Sequence, residues 1–109
     1  MTDAEAEAAR LNLIDALAAT IQLLRKCDAS QWADQLDDSK RLIEQRDFRG
    51  IEQVFYSYGG MGSFNDLLIH PANGHTISDA EIATTNDQLR ELQSQVYELV
   101  GRLRQYEAS

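Results

Sequence analysis

The last long stretch of the sequence, residues 78–106, decides the fold and reads SDAEIATTNDQLRELQSQVYELVGRLRQY. Its apolar residues recur at alternating steps of three and four, which is the spacing of one helix face. This seam consists of Leu89, Leu92, Val96, Leu99, Leu103 and Tyr106, with Ile82 in the same register. Ser78 and Glu81 have the spacing of a capping box. The stretch predicts a helix over residues 79–106, roughly 40 Å long.

Two uses of this seam stay open at the level of sequence. The apolar face resembles a coiled-coil seam, so it can pack inside the chain's own bundle or join two copies. We therefore carry a homodimer through residues 82–106 as an alternative to internal packing.

The N-terminal half carries the same helical period. A capping box at Thr2 and Glu5 opens a predicted helix over residues 3–27. Acidic residues lie near its start and basic residues near its end, which favours the helix dipole. Its apolar stripe is formed by Leu11, Ile14, Leu17, Ile21 and Leu24, widened by Leu13.

Two shorter helices are predicted before the middle of the chain. Asp28 or Ser30 can cap a helix over residues 30–46, and Asp47 can cap a short helix over residues 48–58. Residues 59–77 break the helical pattern and predict either an irregular segment or a small two-stranded hairpin. We expect an all-α, single-domain bundle over residues 1–109, with three main helices and one short helix.

Glycine and aromatic residues concentrate in residues 55–64, which hold half of each type. Three interpretations compete for this stretch. It can be a tight crossover whose Phe64 and Met61 fill the core, or a recognition loop with exposed aromatic anchors. The third interpretation, a phosphate-binding loop, is weak because such a loop follows a strand and carries a Lys, whereas the last Lys here is Lys40.

Charge and hydropathy exclude several classes of protein. Lys and Arg total 10 against 18 Asp and Glu, a formal charge of -8, which argues against binding to nucleic acid or anionic lipid. No run of 18 apolar residues predicts a membrane span. The acidic, alanine-rich start, Met1–Arg10, lacks the pattern of a signal peptide. We expect a cytoplasmic protein.

Candidate chemistry is sparse. Cys27 is the single cysteine, which excludes an intramolecular disulfide. His70 and His75, flanked by Asp66 and Asp79, lack a recognised metal-ligand spacing, and polar contacts in a turn explain them better. The pair Asp37–Asp38 lies on a solvated helix face. We predict no catalytic residue, no metal and no cofactor.

The segment YGGMGSFND at residues 58–66, followed by residues 67–75, resembles the signature of an uncharacterised family of small bacterial helical domains. Trp32, in a helical half that precedes the glycines, fits the same pattern. The resemblance covers roughly residues 10–100 and implies no catalytic residues. By size and charge the chain also resembles the immunity proteins of bacterial polymorphic toxin systems.

These observations favour a binding protein, an immunity protein that neutralises a basic toxin domain by binding and occluding it. The predicted partner-binding residues are Asp34, Asp37, Asp38, Tyr56, Tyr58 and Met61. A structural motif is predicted at Gly59, Gly60, Gly62, Ser63, Phe64, Asn65 and Asp66. The main alternative is a self-associating structural or regulatory helical module. A small enzyme or nucleotide binder built on the glycine stretch is a third class.

Overall fold

The computed structural model describes residues 1–108 and shows an all-α bundle, as the sequence predicts. Its four helices are α1 (Asp3–Lys26), α2 (Ser30–Glu44), α3 (Arg49–Tyr56) and α4 (Ile82–Ala108). The segment between α3 and α4 contains three turns of 3-10 helix, Phe64–Asp66, Pro71–Asn73 and Asp79–Glu81. No strand occurs within residues 1–108, so residues 59–77 form the irregular segment and not the hairpin.

The helices form a ring in which α1 contacts α2 and α4, and α3 contacts the same two helices from the other side. α1 and α4 are antiparallel, because Arg102 near the end of α4 donates to the Met1 sulfur at 3.7 Å. α3 has only eight residues and is too short to fill the fourth position. Residues 57–81, called the connecting segment below, occupy the rest of that position. Its Phe64 and Ile69 are fully buried.

α1 begins as predicted, since Thr2 Oγ1 accepts from the Glu5 N–H at 3.1 Å and Glu5 accepts from the Thr2 N–H. The predicted apolar stripe is partly wrong, because Leu11 is 50% exposed. Small residues share the buried face of α1 with the leucines, which lets neighbouring helices approach closely and rotates the face away from Leu11. The buried residues are Ala6, Ala9, Leu13, Ala16, Leu17, Thr20, Ile21 and Leu24.

The caps predicted for the next two helices are not the observed ones. Neither Asp28 nor Ser30 caps α2: Ala29 is its N-cap and makes no side-chain capping bond. Asp28 instead takes a left-handed conformation with φ of 57° in the tight turn after α1. At α3 the N-cap is Phe48, which makes no side-chain capping bond, so Asp47 is not the cap that was predicted. Asp47, one residue earlier, accepts from the Arg49 N–H at 3.0 Å.

α4 differs from its prediction at its start and in its seam. The predicted capping box does not form, because the Ser78 hydroxyl donates to the Glu81 carboxylate and accepts from no backbone N–H at this helix start. The α-helix begins only at Ile82, after a 3-10 turn. Leu89, Val96 and Leu103 are buried inside the chain's own bundle, whereas Leu92 and Leu99 are only half-buried. The second buried row of α4 is Asn86, Gln93 and Val100.

α2 and α3 approach each other closely at Gly50. A Cβ built there would lie 2.5 Å from the Ser39 carbonyl oxygen and 2.8 Å from the Ile43 side chain. Ser39 adds a hydrogen bond across the same contact, donating to Gln53 of α3 at 2.9 Å. Among residues 1–108, no helix is both long and apolar enough to cross a membrane.

Candidate functional site

The glycine segment, residues 59–66, follows α3 and forms a tight surface loop. Gly59, Gly60 and Gly62 have φ of 97°, 86° and 80°, a region in which other residues are strained. A Cβ at any of the three would meet nothing within 4 Å. Backbone conformation, and not lack of space, therefore requires glycine at these positions.

Polar side chains of the same segment hold this loop in one shape. Asn65 Oδ1 accepts from the Gly59 N–H at 2.9 Å, and Asp66 Oδ2 accepts from the Gly62 N–H at 3.1 Å. The Ser63 hydroxyl donates to the Gly60 carbonyl at 2.6 Å. Each bond satisfies a backbone group that the turn would leave open, so the loop is organised before it meets any partner.

The two apolar residues that the crossover interpretation places in the core, Phe64 and Met61, differ in burial. Phe64 is fully buried, and its N–H donates to the Ser57 carbonyl at 2.7 Å. Met61 is 99% exposed, so the crossover interpretation is wrong for this residue. An unbranched, polarisable side chain is thus presented to solvent on a hydrogen-bonded loop, three residues from a core anchor.

Six of the eight aromatic residues form one chain of ring contacts from core to surface. Successive ring centroids lie 5.2, 5.4, 4.9, 5.8 and 5.3 Å apart. The rings follow the order Trp32, Phe64, Tyr58, Tyr97, Phe55 and Tyr56. The chain links the start of α2 to the outer face of α3 and α4.

The two predicted tyrosine anchors differ in exposure. Tyr56 is 70% exposed at the outer end of the aromatic chain. Tyr58 is half-buried, and its hydroxyl donates to the Gln93 carbonyl at 2.7 Å. Burial raises the pKa of the Tyr58 phenol well above its usual range, and Tyr97 adds to that rise. Tyr58 therefore stabilises the bundle, whereas the ring of Tyr56 is exposed and can contact a partner.

The outer face of α3 and α4 contains residues that the sequence did not mark. Tyr97 is 46% exposed, and the Arg104 guanidinium lies 3.8 Å from the Phe55 ring centroid. Arg104 Nε is 3.4 Å from a Glu52 carboxylate oxygen. The sequence could have indicated Tyr97, because it follows the seam residue Val96. When the seam faces the interior of the bundle, the next residue along the helix faces outward.

The predicted acidic residues of α2 lie elsewhere on the molecule. Asp34 pairs with Arg25 of α1 at 2.9 Å, and Asp37 pairs with Arg41 at 2.8 Å. Asp38 is exposed. α2 and α4 occupy opposite positions in the ring of helices, so these carboxylates lie on a different side of the bundle from Tyr97.

The strongest acidic bias belongs to residues 50–89. This stretch has five carboxylates and neither Lys nor Arg, so it carries -5 of the formal charge of -8. The carboxylates are Glu52, Asp66, Asp79, Glu81 and Asp87. It includes the whole glycine segment, so Met61 lies within a stretch of chain that has no cation of its own.

A groove of about 470 Å³ lies between the glycine segment and the start of α2. Trp32, Leu67 and Leu68 supply apolar surface, and Asp28 and Asp66 supply carboxylates. Residues 73–75 also line the groove. The Thr76 N–H donates to the Cys27 carbonyl at 2.9 Å, which ties the end of the connecting segment to the end of α1.

The histidines and the cysteine serve the backbone and the core. His70 Nδ1 accepts from the Ala72 N–H at 3.0 Å, and His75 Nδ1 accepts from the His70 N–H at 3.2 Å. Cys27 is buried, and burial raises the pKa of its thiol. No group of three or more metal-ligating side chains comes together within residues 1–108.

Part of the chain matches a known family. Residues 25–78, about half of the chain, match a family model described as a domain of unknown function (DUF6966). This segment comprises the end of α1, α2, α3 and most of the connecting segment, and every residue that lines the groove falls inside it. No curated protein and no solved structure matches the chain.

Proposed function

We propose that this chain is a small acidic binding protein, an immunity protein that neutralises a bacterial toxin by binding and occluding it. The observation that carries the proposal is the fully exposed Met61 on a hydrogen-bonded loop, within a stretch that has no cation. The protein contributes contact surface and charge, and the chemistry belongs to the toxin.

Charge supports a basic partner. A toxin that acts on nucleic acid or nucleotides presents a basic cleft, because its substrate is anionic. Three of the five carboxylates over residues 50–89, Asp66, Asp79 and Glu81, take part in no ion pair within residues 1–108. They provide a field that accelerates encounter with such a cleft. The same negative charge repels nucleic acid, so the inhibitor itself does not bind the substrate of the toxin.

The organised loop supports tight binding. A flexible loop loses conformational entropy when it binds, and this loss weakens the complex. Hydrogen bonds from Asn65 and Asp66 to the glycine amides limit that loss before binding. A single apolar residue in the centre of an interface, surrounded by polar contacts, is the arrangement that concentrates binding energy.

The test is co-expression with the protein that the neighbouring gene encodes. We expect that protein to arrest growth when it is expressed alone, and we expect this chain to restore growth and to co-purify with it. Failure to restore growth, together with no complex in co-purification, would overturn the proposal.

The main alternative, a self-associating helical module, has a specific surface in its favour. The leucine seam of residues 82–106 is occupied inside the bundle, but Tyr97 and Tyr56 stay exposed, and Tyr56 lies beside Arg104. Self-association would therefore use the outer face of α3 and α4. Light scattering over a range of concentrations tests it: a dimer that Tyr97→Ser disrupts supports this function, and a monomer throughout excludes it.

A further inference from the structure

The groove between α2 and the glycine segment combines three kinds of surface that together fit a polypeptide. It offers an aromatic ring at Trp32, aliphatic contacts at Leu67 and Leu68, and carboxylates at Asp28 and Asp66. Neither Lys nor Arg lines it. Its volume lies within the range of roughly 300–1,000 Å³ that ligand sites show.

Trp32 is positioned by the core and yet contributes to the groove. Its ring lies 5.2 Å from the ring of the buried Phe64, tilted by 41°, so its orientation is fixed. It is only half-buried, and the remainder of its surface lines the groove. Tryptophan attracts a cation over its ring more strongly than the other aromatic residues do.

The two carboxylates have no cationic partner within residues 1–108 among the ion pairs of the structure, although other acids of the chain do. Asp66 uses Oδ2 to accept from the Gly62 N–H, which leaves Oδ1 for a second donor. Asp28 is exposed on the turn that precedes α2. The groove therefore has uncompensated negative charge beside an aromatic ring.

The start of α2 contributes hydrogen-bond donors to the groove, in contrast to the two carboxylates. Ala29, the N-cap, provides no side-chain capping bond, so the first backbone N–H groups of α2 have no side-chain acceptor. Ser30 and Gln31 line the groove at this point. A bound peptide would supply backbone carbonyls to these amides, whereas a free cation would meet the positive end of the helix dipole.

We propose that this groove binds an extended segment of the partner and takes up the side chain of one arginine. The inference rests on the proposed function for the basic character of the partner. Arginine fits better than lysine, because its planar guanidinium stacks on an aromatic ring and pairs with a carboxylate at the same time. Every residue of the groove lies within the segment that matches the family of unknown function.

The test uses acetyl-Gly-Arg-Gly-amide and its citrulline counterpart, which has the same shape without the charge. The chain has one tryptophan, Trp32, so its fluorescence and its indole resonance come from a side chain that lines the groove. We expect saturable shifts of the Trp32 indole and of the amides at 28–32 and 62–75 with the arginine peptide. The citrulline peptide is expected to cause none.

Conservative variants separate the groove from general charge attraction. Asp66→Asn keeps an oxygen for the Gly62 N–H, and Asp28→Asn keeps a residue that tolerates positive φ. Each is expected to weaken binding about two- to fivefold. Asp15→Asn, which removes the same charge at an exposed position of α1 outside the groove, is expected to leave binding unchanged.

Absence of shifts with the arginine peptide, or equal weakening by all three variants, would overturn the inference. Neither result bears on growth restoration by the whole protein, because a toxin can be occluded by the glycine segment without this groove. Conversely, saturable binding of the arginine peptide, together with the absence of a toxin partner, would support the groove as a binding site and contradict the proposed function.

Discussion

Asn86 and Ile69 form a two-point hydrogen-bonded pair in the interior of the bundle. Asn86 Oδ1 accepts from the Ile69 N–H at 2.8 Å, and its Nδ2 donates to the Ile69 carbonyl at 2.9 Å. Two turns further along α4, the Gln93 side chain donates to the Phe64 carbonyl at 2.6 Å. The connecting segment has no regular pattern of backbone hydrogen bonds, so Asn86 and Gln93 provide hydrogen-bond partners for the backbone of its buried residues, Ile69 and Phe64.

Asn86→Ala is expected to lower the free energy of unfolding by about 2–4 kcal/mol, because it leaves the N–H and the carbonyl of Ile69 buried without partners. Urea unfolding at neutral pH measures this change. Asn12→Ala, at an exposed asparagine of α1, is the matched control and should change stability by less than about 0.5 kcal/mol. Equal effects of the two variants would contradict the role of Asn86.

Two helical glycines should respond to alanine in opposite directions. Gly50→Ala places a Cβ 2.5 Å from the Ser39 carbonyl, so α3 must move from α2, at a cost of about 1–3 kcal/mol. Gly101→Ala enters open space in α4 and should stabilise the protein by about 0.5–1 kcal/mol, since alanine favours the helix. Thermal unfolding of both variants measures the two changes in stability. Changes of the same sign for both variants would be inconsistent with this packing.

Glu7 joins α1 to the turn between α2 and α3. Its carboxylate lies 2.7 Å from Arg10 and 2.9 Å from Arg46, and their hydrogen bonds lower the pKa of Glu7 from 4.5 to about 2. A lowered pKa in the folded state contributes stability above pH 4.5 that is lost as the pH falls toward 2.

Glu7→Gln should therefore lower the melting temperature at pH 7, and its difference from the wild type should shrink progressively between pH 4.5 and 2. Glu98→Gln, at an exposed glutamate of α4, serves as the control. A difference that is constant across this pH range would show that the ion pair does not carry the effect.

Asp38→Lys is expected to slow association with a basic partner about threefold at low salt, and less at high salt. Asp38 is the better choice among the three predicted acidic residues, because Asp34 and Asp37 already pair with arginines. Stopped-flow association rates at two salt concentrations measure the effect. Asp15→Lys, on α1, makes the same charge change on another helix, and an equal slowing by both would assign the effect to net charge alone.

The helices were predictable because periodicity and end signals are local. The three-four spacing in residues 78–106 and the capping box at Thr2 and Glu5 both appear in the structure. The second row of the seam was not predictable from hydropathy. Asn86 and Gln93 are polar, and only their distant partners in the connecting segment make their burial favourable.

The candidate site was predictable in part, for a similar reason. Glycine density marked residues 59–66, but the sequence does not say which of Phe64 and Met61 faces the core. The groove joins Trp32 to Leu68 across 36 residues of sequence, and its shape depends on how the connecting segment fills the space beside the short α3. Such a surface follows from tertiary packing, which local patterns do not encode.

The most direct measurement of the central claim is the affinity for the proposed toxin partner, the product of the neighbouring gene, compared between two variants by calorimetry. Met61→Ser removes an apolar contact from a side chain that is 99% exposed, so the fold should not change. Leu11→Ser makes a comparable change at a half-exposed site on α1. We predict at least about tenfold weaker binding for Met61→Ser and wild-type affinity for Leu11→Ser. Wild-type affinity for both variants, or no complex with the toxin, would contradict the account.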